Sequence, residues 1–547
     1  MEASTVFEDG HYQMNLPFRD QVVTMPNNRA QAEQRAIHLK RKLCNYTRLL
    51  SDYKTFMNEL LHKGNAEEVK DEDLEGSSGR VWYIPHHGIY HPKKPNKLRV
   101  VFDCAARFSG TSLNDKLLQG PDLTNSLVGV LLRFRQERTA LAADIEKMFY
   151  QVKVTPIQRD YLRYFWWPDG NLDQEPKVYR MAVHLFGATS SPSCANFALW
   201  RTAEDNTDFP EGIRRSHRKS FYVDDYLQSP ADETSTKDKT KGDVKQAMDL
   251  CAKGGFRLTA WSSNSREVLE SIPEELRAKD LKGINLDQDM LPAERVLGVE
   301  WTIESDTFGF NIQIREKPPT TRGILSITSS INDPLGFAAP FILLGKMLLQ
   351  RLCKLNLGWD DEIPERDRKE WEEWLADLPQ LAEFQVERCI KPEDFGPIKD
   401  AKIHHFSDAS ESGYGTASYI RLVDDKGKIH CAFLMGKARV APLKQNTIPR
   451  LELTAATVSA RVDSLLKEEL DLSTTDSIFW TDSMSVIKYI RNTTSRFQTF
   501  VANRIAMIHW RSEPHQWRYV DTNSNPADDA SRGLPAKWAS IRRSTDG

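Results

Sequence analysis

Two adjacent aspartates, Asp224 and Asp225, stand between the short apolar runs Phe221-Tyr222-Val223 and Tyr226-Leu227. That pattern reads as a β-hairpin whose tight turn carries the carboxylates. At a turn two consecutive carboxylates can converge, and in a partly buried site a divalent cation relieves their repulsion; hard ions such as Mg²⁺ prefer carboxylate oxygen. A solvated turn accounts for the same tetrapeptide, because turns favour Asp. The metal reading therefore needs acids from elsewhere. One stands in Leu141-Ala142-Ala143-Asp144-Ile145, which reads as a buried strand ending in an acid. Four more, Asp408, Glu452, Asp482 and Asp528, recur in the C-terminal third.

The elements that would position these acids follow from periodicity. From Lys402 onward, Ile403 to Phe406 is strand-like and ends in Asp408, and Tyr414 to Leu422 and Ile429 to Met435 continue a meander. Pro449 to Leu470 reads as a helix with Glu452 near its start, and Ile478-Phe479-Trp480 as a strand ending at Asp482. Helices continue to about His509, Trp517 to Val520 is a last strand, and Asn525-Pro526 opens a helix carrying Asp528. This is an α/β layout with its acids at element ends.

Upstream, Ala36, Leu39, Leu43, Tyr46, Leu50, Tyr53, Met57 and Leu60 predict a helix ended by Gly64, packed on the body of the protein. Glu67 to Gly79 reads as an acidic linker, with a domain starting near Val81. Val81 to Ile84 and Leu98 to Phe102 read as strands flanking a basic loop, and between Lys93 and Lys116 six cations, Lys93, Lys94, Lys97, Arg99, Arg107 and Lys116, outnumber Asp103 and Asp115. Ser229 to Gly242 reads as a surface loop, followed by a helix that stops at Gly254-Gly255. Residues 290 to 316 suggest a hairpin with Val296-Leu297-Gly298-Val299 and Phe308-Gly309-Phe310 on its arms. From Pro318 to Pro397 the pattern is mainly helical, with Trp359, Trp371 and Trp374 as packing residues.

At 547 residues the chain has room for about three or four domains. Its net charge of −3 excludes a histone-like protein, although the local basic surplus can meet phosphate. The seven cysteines are scattered, with no C-x-x-C pair, which fits a reducing compartment and excludes the usual zinc patterns. No signal peptide and no long apolar run is seen, so the expectation is an intracellular protein without a membrane partner, in a cytoplasmic particle or the nucleus.

Ala143-Asp144-Ile145 with Phe149-Tyr150, Phe186-Gly187 with Ser191-Pro192, Tyr222-Val223-Asp224-Asp225 and Leu297-Gly298 occur in the order of the palm motifs of reverse transcriptases. Trp82-Tyr83-Ile84-Pro85-His86-His87-Gly88 and Leu98-Arg99-Val100-Val101-Phe102-Asp103 resemble the pol polyprotein of BEL/Pao-type LTR retrotransposons in particular. The resemblance covers nearly the whole chain. It implies an α+β multidomain fold: a right-hand polymerase of fingers, palm and thumb, followed by an α/β RNase H-like domain.

It further implies that Asp144, Asp224 and Asp225 hold two Mg²⁺ ions for phosphoryl transfer, Mn²⁺ being a substitute. Lys97 and Arg99 match triphosphate-binding cations. Phe149 matches the aromatic that blocks a ribose 2′-hydroxyl, and Gly187 belongs to the same nucleotide site. Two positions depart from common retroviral wording: Phe186 replaces a Gln, and Ala260, after Leu258-Thr259, stands where a lysine is frequent. The second loss would weaken proton donation to pyrophosphate.

Ser407-Asp408-Ala409-Ser410, Arg450-Leu451-Glu452-Leu453, Thr481-Asp482-Ser483 and Asn525-Pro526-Ala527-Asp528-Asp529-Ala530-Ser531-Arg532 resemble a ribonuclease H. The match makes Asp408, Glu452, Asp482 and Asp528 a second two-metal set, with Asp529 the rival for the last place. The loop histidine of many relatives is missing, Asn523 being the nearest match, and His515 is read as structural.

The implied division is a helical lead-in and linker over 1–77, fingers and palm over 78–316, a thumb or connection over 317–400 and an RNase H-like domain over 401–547. A stretch from about Pro292 to Asp400 resembles one catalogued in this family as an aspartic peptidase, but the chain has no Asp-Thr-Gly or Asp-Ser-Gly turn. Expected partners are an RNA template, a DNA primer, their hybrid, dNTPs and other products of the same polyprotein. Integrase metal motifs are absent, so the chain reads as part of a longer polyprotein. The rival readings are a decayed or host-adopted nucleic-acid-binding remnant and, more weakly, a peptidase.

Overall fold

Apolar residues at spacings of three and four predict one helix across Ala36 to Leu60, yet the chain forms two, α1 (Arg29–Asn45) and α2 (Thr47–His62). Between them Tyr46 has φ −131° and is exposed. Asn45, Tyr46 and Thr47 are all weak helix formers, and the break re-aims the stripe so that Leu39 and Leu43 on α1 and Leu49, Tyr53, Met57 and Leu60 on α2 are buried. Gly64, at φ +68°, comes after α2 in the left-handed conformation that closes helices. The computed structural model describes residues 1–91, 94–230, 237–286, 288–444, 446–492, 494 and 496–536.

The chain divides into two units, Met1–Asn125 with Ala143–Tyr226 and Lys241–Thr259, and Ser126–Ala142 with Leu227–Thr240 and Ala260–Gly547. In the first unit β1 (Ala66–Glu68) is followed by the hairpin of β2 (His86–His91) and β3 (Lys94–Phe102). Then come β4 (Leu141–Ile145), β5 (Arg163–Trp166) and β6 (Lys177–Met181), and β1 pairs with β6, which pairs with β5. The stretch expected as a linker is therefore structured. Its physical anchor is Arg163, wholly buried, whose guanidinium donates to the carbonyls of Asp73 and Leu74 at 2.7 Å. A buried guanidinium must have acceptors, and this acidic stretch supplies them. The N-terminal helices share one apolar core with Trp82, Tyr83, Ile84, Tyr164 and Trp166, so they belong to the same packed body as these strands and form no separate lead-in.

Asp224 lies in the turn between β7 (Phe221–Tyr222) and β8 (Asp225–Gln228), which are antiparallel, and Asp225 is the first residue of β8 rather than part of the turn. In their sheet β7 lies beside β8, β8 beside β4, and β4 beside β9 (Leu258–Ser263). The expected loop from Ser229 to Gly242 gives way to helix α3 (Lys237–Lys253); residues 231–236 lie outside the described residues.

In the second unit the expected hairpin is a meander of β10 (Ala293–Val296), β11 (Val299–Thr302) and β12 (Thr307–Gly309). Leu297 and Gly298, at φ +47° and +88°, form its first turn rather than an arm, because a two-residue hairpin turn requires positive φ at both positions. Helices α4 (Thr321–Thr328), α5 (Ala339–Lys354) and α6 (Glu365–Asp377) come next. Trp374 stacks on Phe341 at 4.7 Å and on Trp371 at 4.9 Å. Trp359, expected to pack, is instead exposed beside the Arg322 guanidinium.

The C-terminal sheet runs β13 (Ile398–Ala409), β14 (Gly413–Asp424), β15 (Ile429–Val440), β16 (Ile478–Thr481) and β17 (Trp517–Tyr519) in sequence and 15-14-13-16-17 in space. The first three are antiparallel, and β16 and β17 join in parallel. Helix α7 (Ile448–Glu469) presents Leu453, Ala456 and Ala460 to a core with Phe479 and Trp517. Helices α8 (Met484–Arg491) and α9 (Thr499–Arg511) complete that core. A short helix, α10 (Asp528–Arg532), rests on β14 where Gly415 has no side chain: a Cβ there would meet the Ala530 Cβ at 2.7 Å. The alternation read from sequence over this third of the chain matches these elements closely.

Candidate functional site

Asp408 and Asp482 meet because β13 and β16 are parallel neighbours with Ser407 opposite Thr481, so the next residue of each, Asp408 still within β13 and Asp482 just past β16, lies at the same end of the sheet. Glu452 joins them from the first turns of α7. Among the described residues, one carboxylate oxygen from each of Asp408, Glu452 and Asp482 lies within 4.8 Å of the others. Asp408 and Glu452 are buried and Asp482 is half-buried.

Three close carboxylates cannot all ionise without a counter-charge. Burial, then Asp408 and Asp482, push the Glu452 carboxyl up to about 9 against a backbone bond from Ala409. Burial pushes Asp408 up to about 6, with Asp482 and Asp528 adding to the rise and a hydrogen bond from Ser531 opposing it. Glu452 Oε2 and Asp482 Oδ1 are buried and accept no hydrogen bond. Unpartnered buried carboxylate oxygens with an oxygen-only donor set fit a hard divalent cation.

Asp528 is not in that group. It opens α10, and its Oδ1 accepts from Arg532 Nε at 2.6 Å, one turn on. Asp529 is the next residue of α10 and is not in the group either. What α10 brings to Asp408 is Ser531, whose hydroxyl donates to Asp408 Oδ2. Thr522 Oγ1 donates to Asp482 Oδ2 at 2.8 Å from the turn that holds Asn523. The residue types alone do not flag either hydroxyl, although Ser531 lies within the stretch that resembles a ribonuclease H and Thr522 adjoins Asn523. Asn523 and His515 are both exposed.

In the first unit Tyr222 pairs with Asp225, so Val223 and Asp224 form a two-residue turn. Val223 has φ +57°, a strained value for a β-branched residue. The Ile145 N–H donates to the Asp224 carbonyl at 2.9 Å, which sets Asp144 beside the hairpin. Burial, then Asp224, then Asp144, push the Asp225 carboxyl up to about 7. The three acids are thus electrostatically joined, but among the described residues they do not close to the distances of the other group.

Of the other expected site residues, Phe149 lies in the turn Met148–Gln151, and its ring centroid is 4.4 Å from that of the half-exposed Phe186. Gly187, at φ +114°, backs onto β3 so closely that a Cβ would stand 2.3 Å from the Phe102 carbonyl oxygen. Asn114 Nδ2 donates to the Gly187 carbonyl, and Asn114 Oδ1 accepts from the Thr189 N–H, both at 2.9 Å. Lys97 and Arg99 are exposed on one face of β3. The basic surplus is partly neutralised by the pairs Arg107–Asp115 and Arg35–Asp103, and Lys93 lies outside the described residues. Ala260, where the frequent lysine is missing, is exposed at φ +53°.

Residues 320–483 match a family described as the Pao retrotransposon-like RNaseH-like domain. The matched span holds Asp408, Glu452 and Asp482, and its description is not that of a peptidase. No curated protein matches the chain. Among solved structures, the foamy viral protease-reverse transcriptase dRH in complex with double-stranded DNA aligns with a TM-score of 0.56 at 14% identity, over 88% of this chain and 71% of that one. The foamy viral protease-reverse transcriptase in complex with an RNA/DNA hybrid aligns at 0.53 and 13%, over 95% and 58%. The same enzyme with double-stranded DNA aligns at 0.51 and 14%, over 93% and 86%. At these identities the likeness is one of fold alone, a mixed α+β architecture like that of these foamy viral protease-reverse transcriptases. The resemblance to BEL/Pao-type pol proteins read from the sequence is met by the family match over residues 320–483. Among the described residues no helix is long and apolar enough to cross a membrane.

Proposed function

We propose that this chain is an RNA-directed DNA polymerase with RNase H activity, copying RNA into DNA and cleaving the RNA of the resulting hybrid. One observation carries the reading most directly: Asp408, Glu452 and Asp482 converge within 4.8 Å at the shared end of two parallel strands and a helix, with buried oxygens left over for a cation. Fingers and palm over 78–316, a thumb or connection over 317–400 and the nuclease over 401–547 form the proposed right-hand arrangement.

In the nuclease, Asp408, Glu452 and Asp482 would hold Mg²⁺, with Asp528 completing the set once released from Arg532. In the polymerase, Asp144, Asp224 and Asp225 would do so. Bound there, paired ions would activate the attacking oxygen and neutralise charge on the leaving one in an in-line phosphoryl transfer. Lys97 and Arg99 would engage the triphosphate of a dNTP from their exposed face of β3. Phe149, braced by Phe186, would exclude a ribose 2′-hydroxyl, while the clamped Gly187 lets the nucleotide approach backbone.

Purified protein tests both halves: extension of a DNA primer on an RNA template, and cleavage of a labelled hybrid, each with and without Mg²⁺. A second reading, a chain that binds hybrid and cleaves it without polymerising, is favoured by the wider spread of Asp144, Asp224 and Asp225 among the described residues. It requires cleavage without extension from the unmodified protein.

A further inference from the structure

The carboxylates of the C-terminal cluster differ in how they are held. Asp408 and Asp482 each have one oxygen, Oδ2 in both, bonded to a hydroxyl, that of Ser531 for Asp408 and that of Thr522 for Asp482. The other oxygen of Asp482 is buried and accepts no hydrogen bond. Neither hydroxyl is an accident of a loose surface. Ser531 is fully buried, and its own carbonyl accepts from Ser410 Oγ at 2.8 Å. That carbonyl also lies against β14, where a Cβ on Gly413 would stand 2.6 Å from it. Thr522 comes directly after Asp521, whose carboxylate accepts from the N–H groups of Asn523 and Ser524 and so fixes the turn.

We propose that Ser531 and Thr522 are positioning residues of the nuclease centre: each ties down one oxygen of a ligand aspartate and so turns the other toward the cation. The inference rests on the nuclease reading above. A carboxylate free to rotate about its Cβ–Cγ bond must be ordered when the ion binds, whereas one pinned by a hydroxyl is already ordered, so the hydroxyls should appear in cation affinity. They carry no charge and are not themselves ligands in this arrangement. The loop that lacks a histidine at Asn523 thereby acquires a different task, holding Asp482 through its neighbour.

The test uses the full chain and Mn²⁺, with free ion followed by electron paramagnetic resonance and the site assigned by its loss in Asp408→Asn. Thr522→Val and Ser531→Ala should each weaken the Asp408-dependent site by about tenfold, the scale of one charge-assisted hydrogen bond. Thr522→Ser should restore it, and Mg²⁺ titrations of hybrid cleavage should move in parallel while those of primer extension stay put. Thr522 is exposed, so its valine variant will fold even if the buried Ser531→Ala does not. Unchanged Mn²⁺ affinity in Thr522→Val, or a loss that Thr522→Ser fails to restore, would overturn the proposal. If the unmodified chain has no Asp408-dependent Mn²⁺ site, the nuclease reading fails with it; a site that ignores both substitutions sinks the positioning role alone.

Discussion

Replacing Glu452 with Gln should stabilise the cation-free protein while destroying the nuclease. Burial and two neighbouring carboxylates raise the Glu452 carboxyl from an ordinary 4.5 to about 9. Between those values the folded chain retains a proton that the unfolded chain releases, so stability without cation falls as pH rises through that window and is fully present below it. At pH 7 the distance above the unfolded value is about 2.5 units, and at about 1.4 kcal/mol per unit the loss is about 3 kcal/mol. Glutamine has no proton to release. Its carbonyl oxygen can still accept from the Ala409 N–H, and its amide hydrogens would face the carboxylates of Asp408 and Asp482 rather than apolar wall. At roughly 2 °C per kcal/mol for a unit of this size, Glu452→Gln should melt about 6 °C above the unmodified chain at pH 7 in EDTA, and the gap should nearly close at pH 5. Added Mg²⁺ should reverse the order, because the ion binds the ionised carboxylate that glutamine lacks. Scanning calorimetry at the two pH values reads all of this. A variant that melts at or below the unmodified chain at pH 7 in EDTA would show that burial and the neighbouring acids do not hold a proton on Glu452 as the geometry requires.

Asp224→Asn should abolish primer extension and leave hybrid cleavage intact, measured in parallel on one preparation; joint loss would count against two separate centres. Gly415→Ala should do the reverse, because its Cβ would press on Ala530 at 2.7 Å and lift α10 with Ser531 away from Asp408, so the readout is hybrid cleavage at unchanged extension. Gly187→Ala forces a Cβ to within 2.3 Å of the Phe102 carbonyl at φ +114°, and should cost about 2 kcal/mol or more of stability together with loss of extension, followed by melting and by primer assay. Phe149→Val should let ribonucleotides compete with deoxynucleotides, raising their relative kcat/KM by about tenfold or more in single-nucleotide extension.

The C-terminal third is legible because its signals are local: strands of alternating burial, a helix with Glu452 near its start, acids at the ends of elements. The N-terminal third is not, since its organisation depends on contacts distant in sequence. The stretch from Glu67 to Gly79 has a linker's composition, and what makes it structure is a buried guanidinium, Arg163, far along the chain, whose hydrogen bonds end on the carbonyls of Asp73 and Leu74. Composition reports side chains, and this anchor is made by backbone. Tyr46 shows the opposite limit. Its spacing fits the apolar stripe, but spacing cannot see that three weak helix formers in a row let the chain turn there.

The C-terminal acids mark where a motif stops and geometry begins. Four acids stand at element ends in the sequence, and the fold gathers three. Strand register explains two of them, since Asp408 and Asp482 come directly after the paired residues Ser407 and Thr481, and the helix supplies the third. Asp528 is different because α10 is a single short turn whose last residue, Arg532, reaches back to the carboxylate of its first. Arg532 is held first by Asp528 and also feels the charge of Asp408 and Asp482, so we read it as a partial counter-charge to the cluster in the absence of a cation. On that view the Asp528–Arg532 pair opposes occupation by a second ion, and Arg532→Gln should lower the Mg²⁺ concentration needed for hybrid cleavage. A higher requirement in that variant would mean that Arg532 holds Asp528 in place for the ion instead of away from it.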